Sequence, residues 1–95
     1  MSTSTTAKPD VDEDISAGLD GMYEVILYND DHNTVEHVVK CLMVVFGHGL
    51  RLAAKIMAEA HRKGRAIAEV EGREPAMLHR EQLQSYGLTA SVEKI

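Results

Sequence analysis

YEVILYNDDHNTVEHVV, residues 23–39, holds the transition on which the fold turns. Tyr23 to Tyr28 are rich in β-branched and aromatic residues and read as a strand. The apolar run stops at Asn29, and five more polar residues follow: Asp30, Asp31, His32, Asn33 and Thr34. From Val35 the pattern changes period. Val35, Val38, Val39, Leu42, Met43 and Phe46 recur at three- and four-residue steps, which is one face of a helix. Asn33 is read as the N-cap of that helix, with Glu36 three positions later as a capping box requires. A strand therefore passes through a short polar connection directly into a helix N-terminus.

Working outward, Gly47 and Gly49 break the first helix. A second runs from about Leu50 to Lys63. Leu50, Ala53, Met57, Ala60 and His61 share one side of it, and Leu52, Ile56 and Glu59 lie on another. Arg62 and Lys63 suit the negative end of that helix, and Gly64 suits the residue beyond it. RAIAEVE, residues 65–71, reads as a short strand. A third helix begins near Glu74, with Pro75 in its first turn, and runs to about Tyr86, burying Ala76, Leu83 and Tyr86. Gly87 ends it, and residues 88–94 make a last strand. The order β-α-α-β-α-β predicts an α+β fold: a small antiparallel three-stranded sheet with three helices packed on one face.

Residues 1–20 differ from the rest, with five acids, one Lys and almost no large apolar side chains. Such a segment cannot bury enough surface to order itself. The expectation is a flexible acidic tail on a core domain of residues 21–95. A chain of 95 residues is one domain with a modest core. Its net charge of -5 argues against nucleic acid as a partner. The lone cysteine, Cys41, excludes an intrachain disulfide and reads as a small core residue. No apolar run approaches the roughly 20 residues that span a bilayer, and the N-terminus lacks the apolar core of a signal peptide. The expected location is cytoplasmic, with no membrane association.

The polar connection admits several chemistries. As a plain turn, its Asn and Asp side chains bond their own backbone. As a metal site, it offers Asp30, Asp31 and His32, with His37 and His61 elsewhere, though in no familiar ligand spacing. A nucleophile is poorly supported, since Cys41 lies within an apolar helix pattern and no glycine-rich phosphate loop or Gly-x-Ser-x-Gly occurs; an enzyme is not expected. The fourth reading is capture of a cation. A protonated α-amino group presents three N–H donors and needs about three acceptors around one point. The Asn29 carbonyl, the Asp30 carboxylate and one ring nitrogen of neutral His61 make such a set. Val35, Met57 and Ala60 are placed to line a pocket beside it, or simply to pack a core.

YEVILYNDDHNTVEHVV, KIMAEAHRKGRAI (residues 55–67) and LTASVEK together resemble the ClpS family, adaptors of the Clp AAA+ protease, over about residues 22–95. The resemblance rests on the strand–Asn-Asp-Asp–helix signature and on Met57, His61 and Gly64 in a Met-x-x-x-His-x-x-Gly segment. It implies an adaptor that binds N-degrons, gripping a free α-amino group and a large hydrophobic first residue (Phe, Leu, Tyr or Trp), and delivers them to the chaperone. On the matching positions, Asn29, Asp30 and His61 hold the amino group. Asp31, Asn33 and Thr34 support the loop and the first peptide groups of the substrate. Val35, Val38, Met57, Ala60 and Leu88 form the hydrophobic pocket. Glu74 and His79 face the N-terminal domain of the chaperone, and the flexible tail also engages it. The resemblance implies no cofactor, no metal and a monomer. The sequence departs from the family where Asn33-Thr34-Val35 replaces the frequent Thr-Pro-Met, and where Ala60 stands for the frequent Val; both changes predict a roomier pocket. His79 stands where Lys is frequent. The competing readings are an interaction scaffold indifferent to the first residue, and a metal-dependent site on Asp30, Asp31 and His61.

Overall fold

The computed structural model describes residues 21–95; the acidic segment 1–20 lies outside the described residues. The elements follow the expected order: β1 (Met22–Tyr28), α1 (Val35–Phe46), α2 (Leu50–Lys63), β2 (Arg65–Gly72), α3 (Arg73–Ser85) and β3 (Ala90–Lys94). The strands form one antiparallel sheet in the order β2-β1-β3. The first strand is thus the central one, with both its edges paired. The α+β architecture anticipated from the sequence is the observed one.

The period-two pattern of β1 explains the layers. Tyr23, Val25 and Leu27 join the same core as Ala66, Ala68, Ala90 and Val92 from the flanking strands. Leu42 from α1, Ala53, Ile56 and Ala60 from α2, and Ala76 and Leu83 from α3 close on them. The many alanines let helices and sheet approach closely. Cys41 is buried in this core, as its apolar surroundings in the sequence implied. Ile26, whose side chain alternates away from this cluster, is also fully buried. It pairs with Ile67 and Ser91 across the strands. On the same face Tyr28 shares a hydrogen bond with Ser91 (2.9 Å), and Arg65, 5.8 Å above the Tyr28 ring, reaches Glu93.

Three local expectations are corrected. The N-cap of α1 is Thr34, not Asn33: Thr34 is extended and its Oγ1 accepts from the His37 N–H at 3.1 Å. Asn33 is held elsewhere: its amide nitrogen donates to both oxygens of Asp30 and to the Gly87 carbonyl. Glu36 then stands at the second helical position rather than closing a capping box. Tyr86 is 44 % exposed rather than buried. α3 ends at Ser85, so Tyr86 leaves the helical period that would have turned it inward. The third strand starts at Ala90 rather than Leu88, because Leu88 bonds back to Leu83 and stays in the connection.

Candidate functional site

The loop Asn29–Thr34 is built around one carboxylate. Asp30 Oδ1 accepts from the backbone N–H of His32 (3.0 Å) and of Asn33 (3.2 Å) and from the Asn33 amide (3.1 Å). This is the Asx-type turn that the residue types favour. Two further ties fix the loop to the body. The Asn29 N–H donates to the carbonyl of Gly64, which closes α2 in a left-handed conformation (φ 91°) suited to glycine. The Asn33 amide donates to the carbonyl of Gly87, another left-handed glycine (φ 88°), at the turn between α3 and β3. Nearby, His37 Nε2 donates to the Tyr86 carbonyl at 2.8 Å, tying the first turn of α1 to the same turn.

Between this loop, α1, the last two turns of α2 and Leu88 lies a cavity of about 240 Å³. Its floor and walls include Leu27, Val35, Val38, Met57, Ala60 and Leu88. Asn29, Asp30, Asp31, Asn33 and His61 stand around it, with Tyr28. All five residues expected to form a pocket and all three expected to hold an amino group therefore line one cavity. Ala60 and Leu88 are buried, whereas Val35 is 54 % exposed and forms its lip. No Lys or Arg lines it, so its polar rim offers acceptors and negative charge. Among the described residues, the side chains of Asn29, Asp31 and His61 are not engaged by hydrogen bonds within the chain. Asp30 Oδ2 takes one donor, leaving lone-pair capacity.

The other expected residues lie elsewhere. Thr34 caps α1 and does not line the cavity. Glu74 is exposed in the first turn of α3. His79, further along α3, donates from Nδ1 to Glu71 Oε2 at 2.6 Å and sits edge-on to Phe46. Glu71 pairs with Tyr23, at the end of β1 remote from Asn29. The metal reading gains nothing: among the described residues, no three His, Cys, Asp or Glu side chains are grouped to hold an ion. His37 instead contacts Cys41, with Nε2 3.5 Å from Sγ. Burial pushes the Cys41 thiol up from its ordinary range, with Lys40 opposing. Leu27 and Tyr28 were missed as lining residues; their position at the end of a strand that leads straight into the polar loop was the available signal.

The family model described as ATP-dependent Clp protease adaptor protein ClpS matches residues 19–91 of the chain. The chain belongs to the ClpS family. The ClpS adapter protein of Nostoc sp. (strain PCC 7120 / SAG 25.82 / UTEX 2576) is 38 % identical over 90 residues, covering 94 % of this chain and 93 % of that one. The ClpS adapter protein of Synechococcus elongatus is 43 % identical over 72 residues, 75 % of this chain and 76 % of its own. Among solved structures, Agrobacterium tumefaciens ClpS2 bound to L-phenylalaninamide matches with a TM-score of 0.70 at 28 % identity, covering 80 % of this chain and 99 % of that one. ClpS proteins are adaptors of a protease, so the family places this chain beside proteolysis without making it the protease. Among the described residues, no helix is long and apolar enough to cross a membrane.

Proposed function

We propose that this ClpS-family chain is an N-degron adaptor, binding the free α-amino group and large hydrophobic first residue of substrates and delivering them to a Clp AAA+ chaperone-protease. One observation carries the reading: an apolar cavity sized for a single side chain opens beneath a rim of carboxylates, amide and imidazole with no Lys or Arg. Sites for drug-sized molecules run to roughly 300–1,000 Å³, so 240 Å³ suits one amino-acid side chain better than a whole cofactor. The ligand of the Agrobacterium relative, an amino-acid amide with a free amino group and a benzyl side chain, supports the same assignment.

In this reading the ammonium donates to the Asn29 carbonyl oxygen, to Asp30 directly or through a water, and to His61. Asp31 supports the first peptide groups, and Asn33 and Thr34 hold the loop through the bonds described above. The side chain of Phe, Leu, Tyr or Trp fills the space among Val35, Val38, Met57, Ala60 and Leu88. Burying such a side chain contributes about 1.5–3 kcal/mol. An acetylated terminus loses its charge and two donors, and unpaired buried acceptors cost about 1–3 kcal/mol. Met57 is proposed to exclude β-branched first residues. With Val35 and Ala60 both small, aromatic rings are well accommodated. Glu74 and His79 are proposed to face the N-terminal domain of the chaperone. Residues 1–20 are proposed as the handle that the chaperone pulls, in the cytoplasm, with the adaptor a monomer that uses no metal or cofactor.

The test is fluorescence anisotropy of labelled decapeptides that differ only in their first residue: Phe, acetyl-Phe, Arg and Val. Binding of Phe alone supports the reading. Equal binding of all, or of none, sinks it.

A further inference from the structure

A second cavity, of about 420 Å³, lies along the seam between α1 and α2. Val35, Val39 and Met43 line it from α1; Leu50, Ala54 and Met57 line it from α2. Only three residues join α1 to α2, which makes them antiparallel neighbours, so the lining residues fall into three pairs in order along the seam: Val35 with Met57, Val39 with Ala54, Met43 with Leu50. Its apolar walls stand in solvent, with Val35, Met43 and Leu50 each at least 36 % exposed. Glu36 and Lys40 border it with opposite charges, so it has no net charge with which to attract a charged segment.

What identifies its occupant is its continuity with the first cavity. Val35 and Met57 line both. One end of the groove is therefore the lip of the pocket. A chain whose first side chain points down into the pocket and which leaves over this lip enters the groove. In an extended chain, side chains one and three point the same way and stand about 6.7 Å apart. On a helix rising about 1.5 Å per residue, that distance is some four residues. Four residues from Val35 is Val39, and Ala54 faces it. The third side chain thus arrives over the small Ala54, where the groove has room, while the second points outward.

We infer that the α1–α2 groove is a subsite for an apolar third residue of the same peptide whose first residue enters the pocket. This rests on the N-degron reading and deepens it: substrates are selected at residues one and three, and not at residue two.

The experiment compares labelled Phe-Ser-Ser-, Phe-Ser-Leu- and Phe-Leu-Ser- peptides, otherwise identical, on the full chain and on Ala54→Lys. An apolar third residue is expected to tighten binding about five- to tenfold, as partial burial of one Leu warrants. Leu at position two is expected to leave affinity unchanged. In Ala54→Lys the gain disappears, while binding of Phe-Ser-Ser- persists and reports an intact fold. If that variant fails to bind any peptide, Met43→Lys, at the open end of the groove, replaces it. Equal affinity for Phe-Ser-Ser- and Phe-Ser-Leu- overturns the subsite and leaves the pocket reading standing. So does a gain that survives the lysine substitution. Failure of the wild-type chain to bind Phe-Ser-Ser- at all strikes the pocket reading, and the subsite falls with it. A concentration-dependent dimer, seen by sedimentation and dissolved by Ala54→Lys, assigns the groove to a second copy and overturns the proposal.

Discussion

The two ends of β1 treat their polar side chains differently. At the Tyr23 end, Glu71 is bonded to His79, His79 meets the edge of Phe46, Phe46 stacks on His48, and His48 Nε2 donates to the Ala68 carbonyl. Each of these four side chains has a partner in the chain. At the Tyr28 end, Asp30 and Asn33 form an equally tight set, but the side chains of Asn29, Asp31 and His61 stand around the cavity mouth with no hydrogen-bond partner among the described residues. Polar groups that the fold satisfies hold structure. Polar groups gathered beside an apolar cavity and left to water are available to a ligand. The difference separates a structural cluster from a candidate binding site more sharply than residue type does, since His and carboxylate occur at both ends.

The comparison breaks most visibly at Asp30. In Asp30→Ala, the His32 and Asn33 N–H groups and the Asn33 amide lose their acceptor, so both stability and peptide affinity should fall. The expected destabilisation is about 1–3 kcal/mol, read from urea unfolding, with binding of a Phe-first peptide lost. A variant that unfolds at the wild-type urea concentration would show that the loop does not depend on this carboxylate.

His61→Ala sharpens the contrast, because His61 makes no bond within the described structure that folding would miss. Affinity should fall about tenfold or more, consistent with one lost hydrogen bond to a charged group worth about 1.5–3 kcal/mol. Tm should be unchanged.

At the opposite end, His79→Ala should leave peptide binding unchanged and lower stability by about 1 kcal/mol, since a partly buried bond to Glu71 is lost. Reduced affinity would mean that the two ends are coupled. The smallest effect concerns Cys41. Its burial and raised thiol predict alkylation by iodoacetamide in the native state at rates set by unfolding, far slower than in urea.

Much of the site was legible because it is contiguous. Asn29 to Val35 follow a strand without interruption, and the fold keeps them together. His61 was reachable only because Met57, Ala60 and His61 lie on one helix face, and Leu88 only through the family resemblance. The N-cap was misjudged for a reason invisible in local sequence. Asn33 and Thr34 are both good caps, and the choice between them fell to Gly87, which accepts the Asn33 amide from more than 50 positions away.

The sequence by itself determined the element order and the polar break after Tyr28, because residue type, periodicity and turn chemistry act over a few residues. Tertiary structure decided which polar groups would be consumed. Whether an Asn caps a helix, latches a loop or stays open to a ligand depends on which donors and acceptors the chain brings within about 3 Å. The same holds for the groove along α1 and α2. Its residues read as one helix face and then another, and only packing showed that the two faces leave between them a channel ending at the pocket lip.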